Sequence, residues 1–208
     1  METWCRTHVT DHSGWNHRQH ILNELTKRYQ DAGDVDGVAK NPMLAEYAFV
    51  SDIMAPYPSH EALWCHRRYV MQRLLQQAKN GSDSTDHVPV DGLLSRVSST
   101  FSDSQAEVVE TAPLTASWNE TFTTLSSDVV GWSSILRAIL QEMETAWRCG
   151  NQFSRRYAAW CLARLRTFLR GRRAQDQALA HELSSLATNL QKHLVQEDSV
   201  LIDLWLRM

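Results

Sequence analysis

Histidine and cysteine side chains near the amino terminus have the most versatile chemistry in this sequence, since both can bind metals and histidine also moves protons. Five of them lie close together in the sequence, at Cys5, His8, His12, His17 and His20. His8 and His12 have i, i+4 spacing, and His17 and His20 have i, i+3 spacing. We expect these two pairs on different helices, and no pattern of supporting carboxylates accompanies them. The sequence therefore predicts no metal site on this chain.

Other catalytic patterns are also absent from the sequence. It contains no P-loop, no glycine-rich dinucleotide fingerprint and no nucleophile motif, and its acidic residues are scattered. The four cysteines lie far apart, which favours reduced and mostly buried thiols. The amino terminus shows no basic region followed by an apolar run. We predict a cytoplasmic protein with no catalytic residue of its own.

Charge and hydropathy restrict the kinds of partner. The 208 residues carry a formal net charge of −3, which argues against a general binder of nucleic acid or anionic membranes. No stretch of 18 apolar residues is present, so we predict no membrane span. An arginine-rich run extends from Arg155 to Arg173. It is typical of a solvated helix face, while an acidic partner, the acidic middle segment of the chain, or a nucleic acid are the alternatives.

A short motif, Trp-x-His-Arg, occurs twice. Trp15-Asn-His-Arg18 recurs 49 residues later as Trp64-Cys-His-Arg67, and the apolar residues that follow match in kind. Trp160-Cys-Leu-Ala-Arg164 predicts a weaker third copy. Each copy has the pattern of the second helix of a helical hairpin, whose apolar face must be covered by a neighbouring hairpin. The sequence therefore predicts an all-α protein, a right-handed solenoid of α-α hairpins with a disordered insert.

Three regions follow from composition and periodicity. Residues 1–79 hold two hairpins, with first helices over 1–10 and 46–54. Residues 80–127 are rich in Ser, Thr and acidic residues and are predicted to be a disordered insert. Residues 128–208 show three amphipathic stripes that continue the solenoid, with apolar positions over 132–147, 153–168 and 179–194, and a short apolar tail over 200–206.

The motif residues have two interpretations each. Trp15 and Trp64 are predicted to anchor the core between stacked helices. The His-Arg pairs form either an internal network with carboxylates or a contact with a partner protein. Polar residues at the hairpin tips line a binding face or are simply solvated. The residues that we assign to the repeat motif and partner interface are His12, Trp15, His17, Arg18, His60, Glu61, Trp64, His66, Arg67 and Arg68.

At these motifs the sequence resembles the alpha-subunit repeats of protein prenyltransferases, whose signature is a Trp followed by His and Arg at the start of a helix. The resemblance covers roughly 1–75 by motif and 128–208 by helical pattern. Alpha chains of the family are much longer, so we expect this chain to be a C-terminal or truncated portion of one. The residues around Trp15 and Trp64 are most similar to those of the alpha chain of a third type of geranylgeranyltransferase.

The resemblance implies a crescent of hairpins that pairs with a separate beta subunit in a heterodimer. It also implies that zinc and the isoprenoid diphosphate are held by the beta subunit, and that the substrate is a protein with a C-terminal cysteine. In well-characterised relatives a Lys lies five residues before the motif Trp and a Tyr three before it. Thr10 and His12 occupy those positions in the first copy, and Ser59 and Glu61 in the second.

The function predicted from these features is that of an alpha-type subunit of a protein geranylgeranyltransferase. Such a subunit supports the catalytic beta subunit and docks the protein substrate for prenylation of its cysteine. The alternative is a non-enzymatic helical-repeat scaffold that binds another protein through the same face. The retained Trp-x-His-Arg copies favour the first, and the absent lysines favour the second.

Overall fold

The computed structural model describes residues 2–31, 41–81 and 132–170, together with the single residues 121 and 188. All regular structure in the three ranges is helical, which confirms the predicted all-α class. The helices of these ranges are α1 (Glu2–Thr7), α2 (His12–Asp31), α3 (Pro42–Met54), α4 (Glu61–Gly81), α5 (Trp132–Cys149) and α6 (Gln152–Arg170).

Side-chain caps fix the starts of three of these helices. Asn41 precedes Pro42 at the first turn of α3, and its side-chain oxygen accepts a hydrogen bond from the Met43 amide at 2.9 Å. The Asp11 carboxylate accepts from the Ser13 amide at 2.9 Å at the start of α2. Asn151 likewise accepts from the Ser154 amide at 2.9 Å at the start of α6. Each cap satisfies amide groups that a helix leaves unpaired at its amino terminus.

The turn between α5 and α6 is the tightest of the hairpin connections. Gly150 has φ of +68°, a left-handed conformation that ends α5 and that glycine adopts without steric cost. Asn151 follows at once, and its side-chain amide donates to the Pro58 carbonyl at 2.9 Å. Pro58 lies in the loop between α3 and α4, so this bond holds the two hairpin loops side by side.

The helices pack as consecutive hairpins around one apolar core. α3 packs on α4 and α5 on α6, while α4 also contacts α2, α5 and α6. Trp15 and Trp64 are 2% and 3% exposed, which confirms that both tryptophans anchor the core. The largest fully buried apolar side chains are Trp15, Tyr47, Met43, Ile53, Met54, Leu63, Met71, Ile135 and Leu136. Burial of this apolar surface is the main force that holds the hairpins together.

A third hairpin is present, but the predicted third copy of the motif does not lie at the equivalent place in it. α6 begins at Gln152, so the position three residues later, where α2 has Trp15 and α4 has Trp64, is occupied by Arg155. Trp160 lies five residues further along α6 and is buried there as an ordinary core residue. The sequence match between Trp160 and Trp64 therefore does not correspond to equivalent positions in the two hairpins.

Several predictions fall outside the described residues. These are the disorder of the 80–127 insert, the helix over 179–194 and the tail over 200–206. Thr121, which the structure does describe within the predicted insert, is buried. The proposed boundaries at 79/80 and 127/128 stay predictions.

Candidate functional site

A cluster of buried charges joins the first two hairpins. We call Arg18, Glu46 and His66 the first polar cluster. The Arg18 guanidinium donates to Glu46 in a bidentate pair, Nε to Oε1 at 2.6 Å and Nη2 to Oε2 at 2.5 Å. His66 Nε2 lies 2.7 Å from the same Oε1. Arg18 comes from α2, Glu46 from α3 and His66 from α4, so one carboxylate connects three helices.

A second polar cluster, formed by Arg67, Glu142, Tyr47 and Tyr157, joins the second hairpin to the third. Arg67 donates from Nε to Glu142 Oε2 at 2.8 Å and from Nη2 to Oε1 at 2.6 Å. Tyr157 donates its hydroxyl proton to Oε2 at 2.6 Å, and the Tyr47 hydroxyl donates to Oε1. The cluster draws one side chain from each of α3, α4, α5 and α6.

The two clusters repeat the same arrangement one hairpin apart. In each, a glutamate on the first helix of a hairpin binds the arginine of the preceding hairpin. The same glutamate also binds a residue five positions after the start of the hairpin's own second helix, His66 in α4 and Tyr157 in α6. The arginine position of α6 is occupied by Ala158, which is buried. The arrangement of paired charges therefore stops at the third hairpin within the described residues.

This geometry explains why His and Arg are consecutive in the motif. Neighbouring residues of an α-helix point about 100° apart, so they reach different surroundings. His66 turns towards Glu46 of its own hairpin, and Arg67 turns towards Glu142 of the next. The pair therefore stabilises a hairpin internally and attaches it to its successor.

The motif tryptophans fix the hairpin loops in an equally repetitive way. Trp15 Nε1 donates to the Val9 carbonyl at 3.0 Å, and Trp64 Nε1 donates to the Pro58 carbonyl at 2.7 Å. Both acceptors lie six residues before the tryptophan, in the loop that precedes its helix. The indole thus fills the core with its ring and closes the loop with its only donor.

Burial and charge act in opposite directions on the two glutamates. Burial alone would raise the pKa of Glu46, but hydrogen bonds from His66 and Arg18 outweigh it and hold that pKa below its ordinary value. Burial likewise opposes ionisation of Glu142, and the charge of Arg67 with its hydrogen bonds keeps the Glu142 pKa lowered. Both carboxylates are therefore ionised in the folded chain at neutral pH.

These lowered pKa values predict acid-sensitive stability. A carboxylate with a folded pKa below its ordinary value of 4.5 stabilises the fold above that pH, and this stabilisation is lost as the pH falls through the folded pKa. We expect the melting temperature to drop steeply below about pH 4.5. Melting curves by circular dichroism between pH 3 and pH 7 measure this drop.

The control is a variant with an uncharged second cluster, made by combining Arg67→Met, Glu142→Leu, Tyr47→Phe and Tyr157→Phe. We call it the apolar-cluster variant. Its melting temperature should fall less between pH 5 and pH 3 than that of the unchanged chain. An identical fall in both proteins would contradict the role assigned to Glu142.

The structure separates the predicted motif residues into interior and surface positions. Arg18, His66 and Arg67 are 8%, 0% and 0% exposed. Their side chains bind carboxylates of this chain. The prediction that Arg18, His66 and Arg67 contact a partner protein is therefore corrected. His12, His17 and Glu61 are exposed, and His60 and Arg68 are half-buried. For these five the interface stays a prediction.

Three of the surface members, His12, His60 and Glu61, lie at the loop end of their hairpins. His12, Glu61 and Gln152 are the first residues of α2, α4 and α6, and all three are exposed. His60 directly precedes Glu61, and its ring lies 5.7 Å from that of Tyr57, which is also exposed. We call His12, His60, Glu61 and Gln152 the tip edge. It presents polar and titratable groups on the side where the hairpin loops lie.

The amino-terminal histidines and cysteine do not converge. Cys5 is buried, the His8 ring stacks on Trp4 at 4.1 Å, and His12, His17 and His20 are exposed on α2. Among the residues that the structure describes, no three His, Cys, Asp or Glu side chains are placed to hold a metal ion. Nor is any helix of the described ranges long and apolar enough to cross a membrane.

Two arginines of the arginine-rich run lie over tryptophan rings. The Arg155 guanidinium is 5.8 Å from the centre of the Trp147 ring, and that of Arg164 is 5.5 Å from the Trp160 ring. Such contacts lay the arginine stems on the helix surface.

Sequence reasoning missed the acidic half of both clusters. Glu46 and Glu142 carry no motif of their own, and Tyr47 and Tyr157 look like ordinary apolar-face residues. A signal existed for Glu46, which stands between the apolar runs 42–45 and 47–50 of α3, whereas Glu142 lies between Gln141 and Met143 and has no such signal. A lone acidic residue on an apolar face indicates a buried partner of opposite charge.

Comparison with known proteins gives a matching family model and several similar proteins. The family model of the protein prenyltransferase alpha subunit repeat matches residues 1–25 and 43–74. Protein prenyltransferase alpha subunit repeat-containing protein 1 of Danio rerio is 31% identical over 120 residues, covering 45% of this chain and 28% of the relative. The Homo sapiens protein of that name is 30% identical over 119 residues, covering 43% of this chain and 29% of the relative.

A Xenopus laevis relative, protein 1-B of the same name, is 30% identical over 132 residues, covering 47% of this chain and 31% of the relative. The matched part of the chain thus spans less than a third of the length of these relatives. No solved structure matches the chain. The two motif tryptophans and both His-Arg pairs lie within the matched ranges. The first two hairpins are therefore similar to the protein prenyltransferase alpha subunit repeat, and the chain is similar over part of its length to the repeat-containing proteins of these vertebrates.

Proposed function

We propose that this chain is an alpha-type subunit of a protein geranylgeranyltransferase, acting in a cytoplasmic heterodimer with a catalytic beta subunit. The observation that carries the proposal is the repeated Arg–Glu link between successive hairpins, within repeats that match the alpha-subunit family. Because each link joins one hairpin to the next, the hairpins form a fixed support. We infer that this support is a right-handed solenoid.

The described residues suit a supporting role better than a catalytic one. Arg18, His66 and Arg67, the motif residues with the strongest chemistry, are bound to buried carboxylates. Zinc and the isoprenoid diphosphate would be held by the beta subunit, so transfer of the isoprenoid to the sulfur of the substrate cysteine, with release of diphosphate, would take place there. This chain would contribute a surface that holds the beta subunit and helps to dock the protein substrate.

The tip edge is the surface that we assign to this docking. It combines exposed residues from the starts of three helices, and the Asn151–Pro58 bond fixes the loops beside it. A surface built on fixed loops loses little conformational entropy when a partner binds.

A helical-repeat scaffold without a transferase role is the second candidate. Thr10 and Ser59 occupy the positions where the resembled alpha chains have lysine, so these two hairpins offer no lysine there to a diphosphate. That observation favours a scaffold that binds another protein through the same edge. The two candidates differ in whether a prenyltransferase beta subunit is the partner.

Co-expression with a geranylgeranyltransferase beta subunit tests the proposal. We expect one-to-one co-elution in size-exclusion chromatography and at least a tenfold weaker complex when His60→Ala and Glu61→Ala are combined, since central interface residues dominate binding. Arg137→Ala is the matched control, because Arg137 is exposed near the start of α5, at the opposite end of that hairpin. It should co-elute as the unchanged chain does.

Two outcomes would contradict parts of this proposal. A folded chain that never binds the beta subunit leaves the scaffold as the better function. A complex that the tip-edge variant leaves unchanged, while Arg137→Ala weakens it, would place the docking surface elsewhere. Prenyl transfer to a protein with a C-terminal cysteine is then measured on the purified complex. It distinguishes an active transferase from a complex without activity.

A further inference from the structure

The loop between α3 and α4 carries an exposed aromatic side chain. Tyr57 is 43% exposed and lies between Pro56 and Pro58. Both prolines have a fixed φ, and the backbone of Tyr57 is restricted because a proline follows it. The Tyr57 amide donates to the Met54 carbonyl at 3.2 Å, and the Tyr57 carbonyl accepts from the His60 amide at 3.4 Å. The backbone on both sides of the exposed ring is therefore held in place.

Neighbouring side chains restrain the same loop. The Pro58 carbonyl accepts from both Trp64 and Asn151. The His60 ring packs beside Tyr57, with 5.7 Å between the ring centres and 59° between the ring planes. A large ring that is held exposed on a fixed loop loses little conformational entropy when a partner covers it. Tyr57 therefore has the properties of an interface anchor, a residue type that contributes strongly to protein binding.

Glu61 adds an unpaired charge at the end of this loop. It is the first residue of α4, it is exposed, and it follows Tyr57 by four residues. The side chains of Asp11 and Asn151, which precede or begin the turns into α2 and α6, accept hydrogen bonds from backbone amides. In the part of the chain that the structure describes, no hydrogen bond or ion pair occupies the Glu61 carboxylate. Both of its oxygens can accept hydrogen bonds from another molecule.

The interior of the chain shows what a glutamate and an aromatic ring hold together. Arg18 binds Glu46 and lies over the Phe49 ring, with its guanidinium carbon 4.3 Å from the ring centre. Arg67 binds Glu142 and lies over a tyrosine ring of α3 at 4.4 Å. A planar guanidinium donates to a carboxylate from its edge and stacks on a ring with its face. Each buried arginine is thus held by one carboxylate and one ring.

We propose that Tyr57 and Glu61 bind an arginine side chain of the partner protein, with the guanidinium over the Tyr57 ring and its N–H groups donating to the Glu61 carboxylate. The proposal rests on the docking role assigned to the tip edge and names the chemistry that this edge recognises. A lysine fits less well, because its compact, strongly hydrated ammonium cannot stack on a ring or bind a carboxylate in a planar pair. The loop belongs to the second hairpin, which contacts described helices of the hairpins before and after it.

A single arginine tests this chemistry without any partner protein. N-acetyl-arginine methylamide is titrated into the isotope-labelled full chain, and backbone amide signals are followed by nuclear magnetic resonance. We expect saturable shifts at residues 57–61, weaker shifts with the lysine analogue and none with the uncharged citrulline analogue. Tyr57→Leu, which keeps an apolar side chain without a ring, and Glu61→Gln should each remove most of these shifts. Tyr57→Phe should preserve them, because the ring remains.

The complex with a geranylgeranyltransferase beta subunit tests the same contact in the assembly. Isothermal titration calorimetry should show about tenfold weaker binding for Tyr57→Leu and for Glu61→Gln, as for other anchor residues. The two changes combined should weaken binding by much less than about a hundredfold, because one arginine serves both groups and their effects are not additive. Glu24→Gln removes an exposed charge of α2 and is the matched control, which should bind as the unchanged chain does.

The two experiments separate this proposal from the function on which it rests. A complex that neither Tyr57→Leu nor Glu61→Gln weakens would overturn the arginine contact and leave the alpha-type subunit as the function. Arginine-specific shifts at residues 57–61 in a chain that never binds the beta subunit would support the contact and favour the scaffold instead. Shifts that are equal for the arginine and lysine analogues, or that Tyr57→Leu leaves unchanged, would overturn the proposal.

Discussion

Replacing Glu142 with glutamine is expected to lower the free energy of unfolding by about 3–5 kcal/mol, because it leaves the buried Arg67 charge without its counter-ion. Arg67 is 0% exposed, so water cannot solvate the guanidinium in the folded chain. The amide offers one oxygen where the carboxylate offered two charged ones, so the bidentate pair and the two tyrosine hydrogen bonds cannot all remain. Urea unfolding followed by circular dichroism measures the change.

The matched control is Glu24→Gln on the surface of α2. Glu24 is bound to Lys27, but both side chains are more than 60% exposed, at 63% and 66%. Surface ion pairs of this kind contribute little to stability because solvent screens both charges, so this variant should unfold almost as the unchanged chain does. A Glu142→Gln variant that is no less stable than Glu24→Gln would contradict the second polar cluster.

The apolar-cluster variant separates the cost of an unpaired charge from the value of the cluster. A buried ion pair that is replaced as a whole by apolar residues of similar volume is often neutral or stabilising, since desolvation of both charges is avoided. We therefore expect this variant to be far more stable than Glu142→Gln, although it removes more polar groups. If it is as unstable as Glu142→Gln, lost shape and packing would explain both results.

The Trp-x-His-Arg spacing was sufficient to predict helical hairpins and buried tryptophans. Each copy lies in the first two turns of a helix, and the indole has both a large ring and one donor to satisfy. The first helix of the second hairpin was also predicted, though it begins at Pro42 and not near Glu46. The start of a helix and its apolar face depend on residues that are close together in the sequence, so both can be predicted from the sequence alone.

Partners of the buried arginines could not be predicted in the same way. Arg18 finds Glu46 at a separation of 28 residues and Arg67 finds Glu142 at 75, although both pairs have the same role. The difference reflects the length of chain between consecutive hairpins, which no local rule fixes. The register of the third copy failed for a related reason, because Gly150 and Asn151 decide where α6 begins, and a match of Trp160 with Trp64 ignores them.

Truncating Trp64 to alanine should cost about 3–5 kcal/mol, the range for a large aromatic residue removed from a core. Trp64 is 3% exposed and its ring lies 5.3 Å from that of Tyr157 in the third hairpin, so the cavity would lie between two hairpins. Trp64→Phe keeps most of the apolar contact and loses the bond from Nε1 to the Pro58 carbonyl. We expect it to cost about 0.5–1.5 kcal/mol, the net contribution of one hydrogen bond, since the Pro58 carbonyl keeps its bond from Asn151.

The Trp64 pair of variants also tests how the hairpin loops are held. Pro58 accepts from both Trp64 and Asn151, so Trp64→Phe should leave the Asn151 bond in place and keep the loops together. Tyr57→Ala is the control in the same loop, because Tyr57 is 43% exposed and its loss should cost less than about 1 kcal/mol. If Trp64→Phe proves as damaging as Trp64→Ala, the indole hydrogen bond is what holds the second hairpin. If it is neutral, ring burial alone holds the hairpin, and the recurrence of Trp at this position then reflects its size.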